Sequence, residues 1–297
     1  MQPVTVFIIT ASHNRKASTS AFCESLRMQT YSNFVLILVD DGSTDGTADA
    51  VAEYSFRKEI CHGDGNLWWA GGVRKGIARL KAIKPSQADI VLIANDDTTF
   101  APDFLDKAVR EMERHKSPTM LCVSVSFTDS HGSTDGGSVC LWHRLTFRHY
   151  GRHPEKIDCA STRCLFLRYS DVAKAGSFRP RLLPHYLSDY EFTIRARRRG
   201  IILLPAETVT CQSTEHTTGS HAVPKGSVPY VMHFMISPRF SANPVSLFAF
   251  VLLAAPLQWK VVCWLWALRT VLIFFFKATV FNRMKSKKIA EEVEEMK

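Results

Sequence analysis

The 297-residue chain is 46% hydrophobic with 13 prolines and 15 glycines, which excludes a disordered, collagen-like or disulfide-stapled protein. Its 37 Lys and Arg against 28 Asp and Glu give a net charge of +9, and its length suggests one or two domains. The excess is local: residues 216–290 hold nine cations and no acid, and the rest of the chain balances at 28 of each sign, so a nucleic-acid patch and a membrane surface both fit.

In chain order, residues 4–10 are a short β-branched apolar run that reads as a buried strand. A polar loop at 11–16 leads into a helical pattern through Ala21, Phe22, Leu26 and Met28. Residues 34–39 read as a second strand, stopped by Asp40-Asp41-Gly42-Ser43. A helix is expected over 44–54, with Asp45 placed for its first turn. Gly63-Asp64-Gly65-Asn66 precedes another over 70–83. Residues 89–94 form a strand ending at Asn95-Asp96-Asp97. A helix over 102–115 has Pro102 in its first turn, and 121–127 is a further strand. The second half reads differently. Residues 139–150 and 164–169 are aromatic and strand-like, 186–200 is a charged helix, and 201–204 is apolar again. From 245 to 281 the chain is apolar and aromatic.

Alternating strands and helices predict an α/β fold of parallel β-α-β units with right-handed crossovers. In such sheets the ligand crevice lies beyond the carboxyl ends of the strands. Three polar clusters, at 10–13, 40–43 and 95–97, fall at such ends and define one face. The eight cysteines include no Cys-x-x-Cys pair, and residues 1–10 have no basic segment of a cleavable leader. Reduced, mostly buried cysteines in a cytosolic setting are expected.

Carboxylates at a strand mouth can hold a hard divalent cation that also binds substrate phosphates. Asn95-Asp96-Asp97 fits that use, and equally a turn in which Asp97, Thr98 or Thr99 caps the next helix. Asp40-Asp41 can accept hydrogen bonds from a ligand or form a turn and cap. A dinucleotide fold is disfavoured, because Gly-x-Gly-x-x-Gly is missing after the first strand.

Together, V-x-V-F-I-I-T…H-N-R, L-V-D-D-G-S-T-D-G-T and I-A-N-D-D resemble the family 2 glycosyltransferases with the GT-A nucleotide-sugar fold, over about residues 3–210. The resemblance implies a mainly parallel mixed sheet with helices on both faces. It places Thr10 and Ser12, with His13, in the loop lining the base pocket, and Asp41 on the nucleobase. Asp96 falls toward the ribose or the metal's surroundings beside Asn95, and Asp97 on the metal, Mn²⁺ or Mg²⁺. The stretch 65–74, including Trp69, resembles the part facing the donor, where Arg74 or Lys75 reaches the diphosphate or is a surface charge on the helix. In Leu187-Ser188-Asp189-Tyr190-Glu191, Asp189 matches the catalytic base, which takes the acceptor hydroxyl's proton. Asp189 also sits where a helix N-terminus favours an anion. His185 and Glu191 are candidates for the acceptor side, and a lone His is also commonly structural.

The implied reaction moves one sugar from a nucleoside-diphosphate sugar to a glycan or lipid-linked acceptor, with inversion, in cell-surface polysaccharide synthesis. A Gln-x-x-Arg-Trp motif of processive members is not evident. Two alternatives are a sugar-nucleotide pyrophosphorylase, whose Gly-containing first loop has no counterpart at 10–16, and an inactive membrane-bound scaffold.

The chain divides by composition into 1–237 and 238–297. Residues 240–259 carry no charge but include Asn243, Pro244 and Pro256, and Lys260, Arg269 and Lys277 interrupt the apolar residues beyond 259. One or two helices in the interface, or a re-entrant hairpin, are expected rather than a clean span. Tryptophans among cations suit an anionic lipid surface at the cytoplasmic face, peripheral or monotopic. The alternative is a helical extension packed on the catalytic part or on a second copy. Nucleic acid is disfavoured, because a soluble reader would expose the long apolar run.

Overall fold

A computed structural model describes residues 4–115, 118–127, 136–149, 157–213 and 228–295. The chain packs as two compact units. The first is Met1–Leu141, Phe147–Pro184 and Ser188–His216; the second is Trp142–Thr146, His185–Leu187 and Thr217–Lys297.

The first unit is built on strands β1 (Val6–Ser12), β2 (Phe34–Asp40), β3 (Lys58–His62), β4 (Ile90–Ala94), β5 (Thr98–Thr99), β6 (Thr119–Phe127), β9 (Cys164–Arg168) and β10 (Ile202–Ser213). They form one eight-stranded sheet in the order β3-β2-β1-β4-β9-β6-β10-β5. β3, β2, β1 and β4 run parallel, β9 is antiparallel to both neighbours, and β10 is parallel to β6. A second ribbon pairs β7 (Ser138–Leu141) with β8 (Thr146–His149).

β2 and β4 are buried at every position, which is why they read as unbroken apolar runs rather than alternating ones. Helices cover both faces. On one, α1 (Lys16–Arg27), α2 (Thr47–Ala52) and α4 (Phe104–Arg114) pack Phe22, Leu26, Val51 and Phe104 against Ile8, Leu36 and Leu92. On the other, α3 (Trp68–Ile83), α5 (Tyr169–Ala175) and α6 (Ser188–Arg198) pack Val73, Val172 and Phe192 with Ile9, Ile37 and Leu165. α3 approaches closely because its inner face is glycine. A Cβ on Gly72 would lie 2.5 Å from the Ala11 Cβ, and one on Gly76 2.4 Å from Ile9 Cγ2.

The chain leaves β1 toward β2 and β3 on one side and returns to β4 on the other. That reversal opens a crevice at the carboxyl ends of β1 and β4. Ser12 ends β1, and Asn95-Asp96-Asp97 directly follows β4.

Several elements depart from the sequence expectation. The helix over 44–54 shortens to Thr47–Ala52, because Gly46 takes a left-handed conformation (φ 81°) ahead of it. β3 was not anticipated, since it carries Lys58, Glu59 and His62 and is only partly covered. The stretch 139–150 divides into β7, a 3-10 turn (Trp142–Arg144) and β8, and residue 150 lies outside the described residues. The apolar 201–204 is the start of a 12-residue strand, β10, whose register shifts between Pro205 and Thr210. None of the eight cysteines is in a disulfide, and seven are buried.

The second unit contains α7 (Val228–Met235), α8 (Pro244–Ala254) and α9 (Lys260–Glu295). Pro244 is in the first turn of α8, and Asn243 caps it by accepting from the Ser246 N–H. Val251, Ala255, Cys263 and Ala267 pack together against Trp142 and Trp259. α9 runs unbroken through Arg269 and Lys277, because Lys and Arg are good helix formers even where they lower hydropathy. The stretch Leu257–Lys277 is long and apolar enough to cross a membrane by length and composition, and only 11% of it is buried. Leu257, Val261, Leu265, Leu268 and Phe276 are exposed along it.

Candidate active site

Asp41 follows β2 where the chain must turn. Gly42 makes the turn at φ 69°, and a Cβ there would lie 2.9 Å from the Gly65 nitrogen. Asp41 is buried and organises the segment opposite. Its Oδ1 accepts from Gly65 N–H at 2.9 Å, and its Oδ2 from Leu67 and Trp68 N–H at 2.8 and 3.2 Å. A carboxylate offers about four acceptor positions, of which these three bonds use three. These bonds hold Trp68 at a left-handed φ of 55°, which is costly for a bulky side chain.

Trp69 is the next residue. Its indole Nε1 donates to Asp189 Oδ1 at 2.9 Å, and Thr162 Oγ1 donates to the same oxygen at 2.8 Å. The two donors lie 3.1 Å apart, and Ser188 Oγ is 3.4 Å from Oδ1. No side chain among the described residues donates to Oδ2. Asp189 stands at the start of α6. Burial raises its carboxyl above the usual range, while the bonds from Thr162 and Trp69 and the charge of Arg163 pull the other way.

A second cluster forms at the crevice between β1 and β4. Arg15 Nε lies 3.2 Å from Asp96 Oδ2, and its terminal nitrogen 2.9 Å from Asp97 Oδ2. Ser12 Oγ and Thr19 Oγ1 are 2.8 Å apart, and Thr19 reaches Asp96 Oδ2 at 3.3 Å. Ser213 Oγ, at the end of β10, donates to Asp97 Oδ1 at 3.1 Å. Burial pushes Asp96 up to about 6, against the pull of Arg15.

The other candidates take varied positions. Thr10 is fully buried in β1, and its hydroxyl has no hydrogen-bond partner among the described residues. Asn95 donates its main-chain N–H to the Arg163 carbonyl at 3.0 Å, tying the acidic turn to the segment carrying Thr162. Arg74 stands on the exposed side of α3 and is not drawn into either cluster. Glu191 is buried and held by Arg195 at 2.8 and 3.0 Å. Arg195 also donates to the Ala175 and Ser177 carbonyls, so this ion pair fastens α6 to the end of α5. His185 belongs to the second unit, with its ring edge-on to Tyr186 at 4.8 Å. Arg15, Thr19, Thr162 and Ser213 were not anticipated. Only Arg15 carried a signal, as the last residue of His13-Asn14-Arg15.

The family model described as Glycosyl transferase family 2 matches residues 7–174, which contain β1, the Asp41 loop, the acidic turn and Thr162. The chain belongs to glycosyl transferase family 2. Among curated relatives of this family 2 chain, it is 24% identical over 201 residues to EpsH of Bacillus subtilis, named as a glycosyltransferase, covering 66% of the chain and 56% of that protein. It is 30% identical over 111 residues to the Escherichia coli glucosyltransferase WfaP, covering 37% of the chain and 42% of that protein. WfaP is named for transfer from UDP-Glc to a GlcNAc-diphosphoundecaprenol. The chain spans between 34% and 56% of the length of the first curated relatives it matches. Solved structures agree on the GT-A fold. TarS 1-349 of S. aureus, in complex with UDP, matches with a TM-score of 0.57 and 14% identity over 95% of the chain and 92% of that structure. The mannosyltransferase PcManGT of Pyrobaculum calidifontis, with GDP-Man and Mn²⁺, matches at 0.51 and 16% over 98% and 86%.

Proposed function

We propose that this family 2 chain transfers a single sugar from a nucleoside-diphosphate sugar to a glycan or lipid-linked acceptor, inverting the anomeric centre, in cell-surface polysaccharide synthesis. The observation that carries the reading is the Asp189 carboxylate, gripped at one oxygen and clear of side-chain donors at the other. An acceptor hydroxyl is a weak nucleophile until a positioned base takes its proton, and a carboxyl raised by burial suits that task near neutral pH. Asp41 keeps one acceptor position for a nucleobase N–H and shapes the loop on which a donor would rest.

The acidic turn fits a divalent cation. Asp96 and Asp97 already draw a positive group onto their two Oδ2 atoms, and both offer the hard oxygens that Mg²⁺ and Mn²⁺ prefer. Asp97 would hold the ion, with Asp96 beside it. The ion would neutralise charge developing on the leaving diphosphate. Arg15 occupies the same oxygens, so it must share them or yield them.

The second unit supports a membrane-facing role, with lipid-linked acceptors brought to the enzyme at the cytoplasmic face. An acid-free stretch with nine cations and an exposed apolar face on α9 matches an anionic interface.

The test is release of nucleoside diphosphate from UDP-glucose, UDP-N-acetylglucosamine, GDP-mannose and dTDP-rhamnose with Mn²⁺ or Mg²⁺. One of these turns over, and Asp189→Asn loses about 10²–10⁴-fold in rate while donor-dependent thermal stabilisation persists. Normal turnover by Asp189→Asn would remove the base; absence of both donor stabilisation and turnover across the panel would remove the transferase reading.

A further inference from the structure

Resting on the base reading above, we propose that Trp69 and Thr162 are the positioning residues of Asp189, fixing Oδ1 so that Oδ2 receives the acceptor's proton. A free carboxylate rotates and presents either oxygen. Here the indole N–H and the threonine hydroxyl converge on Oδ1 from two segments far apart in sequence, at 2.9 and 2.8 Å.

Neither donor is free to drift. Trp69 follows Gly65, Leu67 and Trp68, whose N–H groups Asp41 holds. Thr162 is flanked by anchored neighbours. Ala160 exchanges hydrogen bonds with Thr193 Oγ1 on α6, at 3.1 and 3.2 Å. The Arg163 carbonyl accepts from Asn95 N–H at 3.0 Å. The base is therefore braced from the nucleotide loop through Trp69 and from the acidic turn through Thr162. Trp69, in a stretch that resembles the donor-facing part of the family, gives its indole N–H to the base.

In the step served, the acceptor O–H bond breaks and its proton goes to Asp189 Oδ2. The oxygen's electron pair forms the new C–O bond, and the old C–O bond leaves with the diphosphate. The charged group bearing on Asp189 among the described residues is Arg163 from the loop; on α6, Glu191 is paired with Arg195 and Arg179. α3 contributes the uncharged indole.

The test compares Thr162→Val, Trp69→Phe and Thr162→Ser with the parent chain, using Asp189→Asn to assign the Asp189 carboxyl in a ¹³C NMR titration. The pH profile of kcat is read from nucleoside diphosphate release with the same four sugar nucleotides. Removing a donor from a carboxylate raises its pKa. Thr162→Val and Trp69→Phe move both the carboxyl titration and the acidic limb of kcat upward by about one pH unit or more. Turnover below the limb then falls about tenfold, with donor KM unchanged. Thr162→Ser restores the parent profile. The positioning role is overturned if neither Thr162→Val nor Trp69→Phe moves the limb, or if Trp69→Phe raises donor KM with the limb in place. If Asp189→Asn turns over normally, the base reading falls instead and this proposal with it, an outcome the silent Asp189→Asn of the other cases keeps distinct.

Discussion

Asp41, Arg15 and Asp189 show how much one side chain can carry. Asp41 accepts three main-chain N–H groups, so Asp41→Ala strands all three. Each buried donor left unmade costs on the order of 1–3 kcal/mol. A loss of about 3 kcal/mol, read by urea unfolding, is expected together with loss of donor-induced stabilisation. Asp41→Asn keeps one carbonyl acceptor and falls between. Arg15 lies against two carboxylates with little solvent around them. Arg15→Ala leaves adjacent like charges, and breaking such a set destabilises by about 3–5 kcal/mol. Thermal melts should fall in EDTA and recover in part with Mn²⁺; equal melts in both would show that no ion takes the guanidinium's place. The pH dependence of turnover follows from Asp189. Its folded pKa is raised, and as the proposed base it works as the anion, so activity is expected to fall as pH drops through that raised value. The acidic limb should stand above the ordinary carboxylate range near 4.

At the level of elements, the close seat of α3 on β1 and β2 is the feature most sensitive to volume. Gly76→Ala places a Cβ 2.4 Å from Ile9 Cγ2, so helix and strand must separate. Overpacking of this kind costs about 1–3 kcal/mol, and lower thermal stability is the expected measurement. Because Trp69 heads the same helix, turnover should fall beyond what the stability loss explains. The strands β1, β2 and β4 were legible because buried parallel strands leave unbroken apolar runs that stop at polar clusters. β3 was not, since a partly covered strand with Lys58 and Glu59 has the composition of a loop. Nor was the antiparallel insertion of β9 between β4 and β6, because strand direction leaves no mark on periodicity.

Across the whole molecule, the nine cations of the acid-free stretch 216–290 and the apolar face of α9 belong to the same unit. The full chain should float with vesicles containing about 30% phosphatidylglycerol and less with pure phosphatidylcholine, with binding to the anionic vesicles weakening as salt rises. Each Lys or Arg near the surface contributes about 1 kcal/mol, so Arg269→Ala should reduce partitioning about fivefold. Equal partitioning to both vesicle types at all salt concentrations would assign the basic stretch another role. α9 is continuous through Arg269 and Lys277, because cations that interrupt an apolar run do not break a helix.

Local composition by itself determined where the principal buried strands lie, that acids cluster at their ends, and which family's motifs those acids match. These are short-range properties: apolar runs, turn residues and spacing. Only the tertiary structure decided what each acid touches. Arg15 meets Asp97 across 82 residues, Ser213 meets Asp97 across 116, and Trp69 meets Asp189 across 120. Glu191, two residues after Asp189, is buried and paired with Arg195. A carboxylate's role depends on the donors and charges that reach it in three dimensions, and those come from distant segments whose meeting no local pattern records.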